Sequence, residues 1–491
     1  MKHFLLTLSS LFCFLVAQAQ APSALSPVPT DYQVEWAKME TYAFIHFGPN
    51  TFNNSEWGNG DADVSIFNPD TLDCEQWVRV LQAGGMKGVL FTAKHHDGFC
   101  LWPSKFTDYS IKYSPYRAGY GDAVGELHSA CKRLGLKMGI YLSPWDRHKA
   151  CYGEDGYVDY YKNQLKEILL TYPDLFELWF DGANGGSGYY GGANETRTID
   201  RNTYYQFDSL FNYIETYQPQ VIIHSDGGPG NRWVGNEDGV AGETNWNFLT
   251  DAHATPAFTG SDYYTVLGQG DSNGTNWIPA ECDLSIRYGT YDNSIKWFYH
   301  DGDGTKSVDN LVDIYYKSVG RGAAMLVNVP VDTHGQISTA DSTSLVGFYQ
   351  VIKKTFQNNI LKNASVKASA ERGTDFAASN VLSDDYDAYW ATADGTTTGT
   401  LTFTLPSAQN VNRFLLQEYI PLGQRVQTFT VQYSTDGSTW NTISAGESTT
   451  TIGYKRLLRF STVNAKYFRV NFTKARGPLC INQIGAYYYA E

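Results

Sequence analysis

Between Tyr32 and about Asn358, short and almost wholly apolar runs alternate with amphipathic stretches, and few folds accept that alternation. The apolar runs are Ala43–Phe47, Gly88–Ala93, Lys137–Leu142, Leu175–Phe180, Val221–His224 and Ala323–Val329. A strand this apolar has no face to offer water, so it belongs in a parallel sheet covered on both sides. The stretches between them, Cys74–Ala83, Val124–Leu134, Val158–Thr171, Tyr204–Tyr217, Val308–Val319 and Ser344–Phe356, carry apolar residues at three- and four-residue intervals and read as helices. Ala83-Gly84-Gly85 and Leu134-Gly135 end two of them as C-caps do. Repeated strand–helix units of this kind predict an α/β fold, a (β/α)₈ TIM-type barrel. Two of its units are not delimited by the pattern and are expected between Glu243 and Ile295, where Gly, Asn and Asp dominate.

From about Leu361 the texture changes to alternating strands bounded by turns: Leu401–Leu405, Arg413–Glu418, Phe429–Ser434 before Asp436-Gly437, Leu457–Phe460, Tyr467–Phe472 and Ile481–Tyr489. This predicts an all-β sandwich over 359–491 behind a barrel over 20–358. No Pro- or Ser-rich tether separates the two, so they are expected to pack together. At the start of the chain, Lys2, the apolar run Phe4–Val16 and Ala17-Gln18-Ala19 read as a cleavable signal peptide over 1–19, which predicts export to the periplasm or beyond the cell. Cys13 follows Phe12 rather than a small residue, so no lipid anchor is expected. No later run approaches the roughly 18 uninterrupted apolar residues of a membrane span. The six remaining cysteines form no C-x-x-C pair, so disulfides are allowed but not implied.

With 42% hydrophobic residues and a net charge of −14, the chain has material for a large core and disfavours nucleic acid as a partner. Aromatics reach 15%, with 35 Tyr, 26 Phe and 12 Trp, which suits sugar-binding surfaces as well as sandwich cores. Oligomeric state is not set by the sequence.

A barrel of this kind gathers its site at the C-terminal strand ends, and nearly every apolar run here closes on polar residues. The runs end in His46-Phe47-Gly48, in Lys94-His95-His96-Asp97-Gly98-Phe99, in Tyr141-Leu142-Ser143-Pro144-Trp145-Asp146, and in Trp179-Phe180-Asp181-Gly182. Arg232-Trp233-Val234-Gly235-Asn236-Glu237 follows the fifth. Asp181 is the sharpest candidate, because a carboxylate ending so apolar a run is costly to bury and is expected at the mouth. Its plainer alternative is a helix cap or turn former before Gly182. Trp179 and Phe180 fit barrel packing as well. If their strand persisted, His95 and His96 would face opposite sides, and no H-E-x-x-H or H-x-H pattern occurs, so hydrogen bonding to a polyhydroxylated ligand is a better use of His46, His95 and His96 than a metal.

Together these residues resemble the glycoside hydrolase family 29 α-L-fucosidases. The likeness runs from Tyr32 to about Ile337 through the His-Phe-Gly strand end, Glu56-Trp57, Ala93–Phe99, Trp102-Pro103-Ser104, Thr107-Asp108-Tyr109-Ser110, Trp179-Phe180-Asp181-Gly182 and Leu326-Val327-Asn328-Val329-Pro330. The resemblance implies that Asp181 is the nucleophile and that His46, Glu56, Trp57, His95, His96, Tyr141 and Trp179 contact fucose. The Arg232–Glu237 stretch looks like the branch acting on α-1,3/1,4-linked fucose, which makes Glu237 the acid/base, with Glu243, Asp238 and Glu281 as competitors. Arg232 touches the sugar or holds the loop. The implied reaction is retaining hydrolysis of terminal fucose from glycans. It needs no metal or organic cofactor, and its two carboxyl groups stand about 5–5.5 Å apart. Two segments, Gly185–Gly192 and Tyr288–Lys296, depart from the expected pattern and bear on the aglycone side. The competing readings are a broad-specificity fucosidase, a non-catalytic glycan-binding barrel and a metal-dependent barrel hydrolase. The C-terminal sandwich resembles discoidin-like, coagulation-factor type-C modules through Ala378–Leu382, Asp387–Thr392 and Val431–Gly437. That likeness implies a glycan-binding role, or a buttress for the barrel, and a possible structural Ca²⁺.

Overall fold

The structure is a computed structural model and describes residues 20–260 and 262–490; the signal-peptide segment lies outside the described residues. Eight parallel strands close a barrel: β1 Thr41–Ile45, β2 Gly88–Lys94, β3 Lys137–Leu142, β4 Glu177–Trp179, β5 Ile222–Ser225, β6 Asn231–Trp233, β7 Ala280–Ser285 and β8 Ala324–Asn328. Neighbours in the barrel are neighbours in the chain, and β8 closes on β1 through Thr41 opposite Met325. Residue parity divides the two faces, as the pleat requires. Tyr42, Phe44, Leu90, Tyr141, Trp179, Ile222, Ala324 and Leu326 pack inside the barrel. Ala43, Ile45, Val89, Phe91, Ile140, Leu142, Leu178 and Val327 pack outward among the helices.

The helices form where the periodicity predicts, at Cys74–Ala83, Ala123–Leu134, Tyr157–Thr171, Phe207–Tyr217, Val308–Lys317 and Thr339–Phe356. Asp122 caps the second by accepting from Gly125 N, and Gly135, at φ 76°, ends it in the left-handed region. The two strands the sequence pattern did not delimit are β6 and β7. Of these, β7 lies in the expected interval, but β6 precedes it. No helix separates β5 from β6, only residues 226–230, so that unit carries no amphipathic signal. β7 reads Ala-Glu-Cys-Asp-Leu-Ser and is wholly buried despite two carboxyl groups, which hides it from any search for apolar runs.

The C-terminal sandwich is antiparallel. Four of its six predicted strands are halves of two long ones: β9 Gly399–Glu418 and β11 Arg456–Ala475, flanked by β10 Val426–Ser434 and β12 Cys480–Tyr487. β9 changes register between Thr404 and Gln409, where residues 406–410 are exposed. Its first half pairs with Ser365–Ala368 and its second with β12. Barrel and sandwich are joined directly. Gln424 bridges Asn245 and Asn247 at 2.9 Å each, Arg321 pairs with Glu447 at 3.0 Å, and Leu415, Leu457 and Tyr487 join the barrel's outer core. Trp390 is fully buried, a core residue of the sandwich. The six described cysteines are unpaired thiols. Among the described residues no helix is long and apolar enough to cross a membrane.

Candidate active site

At the C-terminal mouth of the barrel, one cavity is lined by Phe44, His46, Trp57, His95, His96, Tyr141, Trp179, Asp181, Ala183, Glu237, Asp283 and Trp297. The inward parity of the strands explains most of this list: His46 continues Tyr42 and Phe44, Asp181 continues Trp179, and Asp283 lies on the inward face of β7. β2 ends at Lys94, so the two histidines after it escape strand geometry. Their rings lie 4.3 Å apart and both wall the cavity, instead of pointing to opposite faces.

Asp181 stands at the cavity floor with its side chain 23% exposed. Oδ2 accepts from Tyr141 Oη–H at 2.9 Å, and Oδ1 accepts from the backbone N–H of Ala183 at 2.6 Å. Both contacts suit an anion and fix its plane. The turn-former role is thus present as well, since the Ala183 contact closes the turn over Gly182.

The histidines are neutral donors and acceptors of defined orientation. Asn328 gives its amide hydrogens to Ser285 Oγ at 2.9 Å and Trp297 O at 2.8 Å, so its Oδ1 receives the proton of His46 Nδ1 at 2.8 Å. Burial pulls His46 down to about 3, which leaves Nε2 as an acceptor. Ser143 spends its hydroxyl hydrogen on Trp145 O at 2.7 Å and accepts from His96 Nδ1 at 2.8 Å. Burial lowers His96 too, against the pull of Asp181. Its Nε2 therefore faces Asp181 Oδ2 at 3.6 Å as one acceptor opposite another, an arrangement completed by a hydroxyl donor from a ligand. His95 Nδ1 is buried without a partner in the same wall, and burial holds that ring well below its usual range. Tyr141 stacks between His95 and Trp179, at 5.6 and 5.4 Å. Trp57, 48% exposed, stands edge-on to His96 and offers a ring at the rim.

Glu237 lines the same cavity from the loop after β6. Gly235, at φ 88°, turns that loop against the backbone of Tyr264. Asn236 Oδ1 accepts from the backbone N–H groups of Asp238 and Val240 at 3.1 and 3.3 Å. Glu237 as a whole residue is exposed. Its carboxyl is partly desolvated and feels the charge of Asp181, so its pKa is raised, while a hydrogen bond from Trp297 Nε1 at 3.4 Å opposes the rise.

Glu56 and Arg232 are not among the residues lining this cavity, and Arg232 takes the second of its two expected roles, holding the loop. Arg232 is fully buried, and its guanidinium donates to Leu267 O at 2.8 Å, Asn245 Oδ1 at 2.9 Å, Trp246 O at 3.0 Å and Ile278 O. It is outside the cavity lining and knits the β6 loop to the segment 245–278, because β6 is a barrel strand that turns Arg232 outward. Arg232→Met is expected to cost about 1–3 kcal/mol or more, because it strands several buried neutral acceptors, read as a lowered unfolding midpoint with unchanged KM in the folded enzyme. Glu56, its side chain a quarter exposed, braces a lining residue. Its Oε2 accepts from Trp297 N at 2.8 Å and its Oε1 lies 3.2 Å from His300 Nε2, so it holds Trp297 in place. Burial pushes Glu56 up to about 7.

The acid/base competitors are not among the residues lining this cavity. Glu243 binds Ser448 N at the sandwich interface, Asp238 is exposed outside the cavity, and Glu281 is buried in the barrel interior. Sequence reading missed Asp283 and Trp297. Asp283 lies on the unrecognised β7, accepts from Trp233 Nε1 at 2.8 Å, and is held well above the carboxylate range by burial and by Glu237. Trp297 follows the hairpin Arg287-Tyr288/Ile295-Lys296 formed by one of the two departing segments. The other departing segment is also a hairpin, in which Gly186–Gly188 pairs with Glu195–Arg197 and Gly186 abuts Trp145. Among the described residues, the group of His, Cys, Asp and Glu side chains close enough to share a metal is Glu177, His224 and Glu281, in the barrel.

Residues 23–355 match the α-L-fucosidase family model, and residues 365–484 match the F5/8 type C domain. The chain belongs to glycoside hydrolase family 29, the α-L-fucosidases. It is 40% identical to α-L-fucosidase 1 of Arabidopsis thaliana over 95% of this chain and 88% of the relative. A glycoside hydrolase family 29 member from a rumen bacterium superposes with a TM-score of 0.84 at 41% identity, covering 96% of this chain and 78% of that one. A Ruminococcus gnavus family 29 fucosidase, solved in complex with fucose, superposes with a TM-score of 0.85 at 32% identity, covering 96% and 97%. This fucosidase is thus a glycoside hydrolase with a TIM-type catalytic barrel and a discoidin-like sandwich.

Proposed function

We propose that the enzyme is an exported exo-α-L-fucosidase that removes terminal, α-1,3/1,4-linked fucose from Lewis-type glycans by double displacement. The observation that carries this reading is the pair of carboxyls on one cavity in contrasting surroundings: Asp181 fixed by two donors, Glu237 desolvated and raised. Asp181 attacks the anomeric carbon while Glu237 gives its proton to the departing glycosidic oxygen. A water then gives a proton back to Glu237 and its oxygen to the sugar, releasing Asp181. His46, His95, His96 and Tyr141 receive the fucose hydroxyls, and Trp179 and Trp297 supply flat walls for the ring. The leader over 1–19 supports export, and the Arg232–Glu237 motif supports the linkage.

Stereochemistry and linkage each have a direct test. Following the products by proton NMR, α-fucose is expected first, before mutarotation; initial β-fucose would contradict double displacement. Lewis-type trisaccharides are expected to be hydrolysed much faster than 2-linked fucosyllactose, and equal rates would favour a broad-specificity enzyme. Because Glu237 works as an acid, kcat/KM is lost as pH rises through its pKa. Trp297→Phe removes a donor that lowers that pKa, so the upper limb of the profile is expected to move to higher pH.

A further inference from the structure

Below the cavity, Glu177 on β4 and Glu281 on β7 lie side by side, both fully buried. Among the described residues neither has a Lys or Arg partner. Their donors are neutral: Trp36 Nε1 to Glu177 at 3.3 Å, Tyr42 Oη to Glu281, Trp179 Nε1 to Glu281 at 2.7 Å, and Asn231 Nδ2, 2.8 Å from Glu177 and 3.1 Å from Glu281. Two carboxyl groups meeting on one amide nitrogen, without a cation, do not both ionise, so the pair retains a proton. Burial and the charge of Glu177 accordingly push Glu281 up to about 8. The carboxylate oxygens accept hydrogen bonds, and His224 Nδ1 directs its proton to Asn231 Oδ1 at 2.9 Å.

Glu281 is also where the aromatic floor of the site is pinned. Its Oε1 holds Trp179 Nε1 and lies 3.3 Å from His224 Nδ1, and these two rings stack at 4.2 Å and 5°. Trp179 walls the sugar cavity two residues before Asp181, and against it stacks Tyr141, the donor to Asp181. We propose that Glu281 is a positioning residue for fucoside hydrolysis: sharing one proton with Glu177, it fixes the Trp179–His224 stack and, through Trp179 and Tyr141, the seat of Asp181. Only the last link rests on the assignment of Asp181 as nucleophile.

The test compares Glu281→Gln with Glu281→Leu in the full chain, with active sites counted by the leaving group released from an activated 2-fluoro-fucoside. Glutamine reproduces a protonated carboxyl's shape and its acceptor for Trp179; leucine leaves the indole N–H unpaired. Glu281→Leu is expected to lose about 100-fold in kcat per counted site, and Glu281→Gln to recover at least about tenfold of that loss, the range seen for supporting-shell changes. A merely structural Glu281 would lower the number of active sites and the unfolding midpoint in both variants but leave kcat per site alone, and that result overturns the proposal. Equal losses in Gln and Leu overturn it too. If Glu281→Leu does not fold, infrared difference spectra between wild type and Glu281→Gln decide: one protonated-carboxyl stretch at neutral pH is expected to vanish, and its persistence refutes the shared proton. A label on a carboxylate other than Asp181, with the Gln/Leu pattern intact, would remove the nucleophile assignment and leave the role of Glu281 standing.

Discussion

Asp181→Ala is expected to lower kcat on every fucoside by at least about 10⁴-fold, in the range seen when other covalent catalysts lose their nucleophile, while the unfolding midpoint stays near that of the parent. The size of the effect follows from the geometry. Asp181 is the carboxylate on the cavity floor whose two oxygens are fixed by Tyr141 and Ala183, and no neighbouring side chain can take over its attack. Glu237 comes from a separate loop, and burial and the charge of Glu237 raise Asp283 well above the usual carboxylate range, which weakens it as a nucleophile. Because Asp181 is partly exposed and its removal leaves no buried charge unpaired, folding should survive. Circular dichroism and thermal melts beside the kinetics separate the two effects; near-normal turnover by a folded Asp181→Ala enzyme would exclude the assignment.

Glu237→Ala is expected to show a different signature, one that depends on the leaving group. On Lewis-type glycans, whose departing hydroxyl needs a proton, kcat/KM should fall by about 10²–10⁴-fold. On an aryl fucoside with a phenolate of low basicity the first step should be nearly unimpaired, and turnover should stall at the covalent intermediate for want of a base. Azide, which attacks without losing a proton, is expected to restore turnover and to yield a fucosyl azide of the substrate's own anomeric configuration. The upper limb of the pH profile should also disappear, since the group whose deprotonation caused it is gone. A uniform loss across leaving groups, with no azide product, would move the acid/base role to another carboxyl, and Asp283 is the third carboxyl lining the cavity.

Much of this was legible in the sequence, for identifiable reasons. Strands buried on both faces advertise themselves, so β1 to β5 and β8 fall within two or three residues of the apolar runs, and the polar residues closing those runs are the cavity wall. β7 was illegible because its inward positions carry Glu281 and Asp283, whose burial is compensated by Trp, Tyr and Asn donors from distant segments. β6 was illegible because three residues and a five-residue connection leave no pattern to read. In the sandwich, Pro406–Asn410 looks like a turn; its residues are exposed, but the chain runs through them as one bent strand. Arg232 stayed open between a sugar contact and a loop brace, because only closure of the barrel decides which way it turns; there it brackets backbone carbonyls. Residue identity named the candidates, and closure of the barrel decided which of them share a cavity.

The most direct test of the central claim is to trap the enzyme with an activated 2-fluoro-fucoside, digest it and sequence the labelled peptide by mass spectrometry. The fluorine slows both steps and the good leaving group speeds the first, so the covalent intermediate accumulates. One fucosyl group per chain, on Asp181 in the peptide that carries Trp179-Phe180-Asp181-Gly182, is the predicted result. A stoichiometric label on Glu237, Asp283 or any other carboxylate would contradict it.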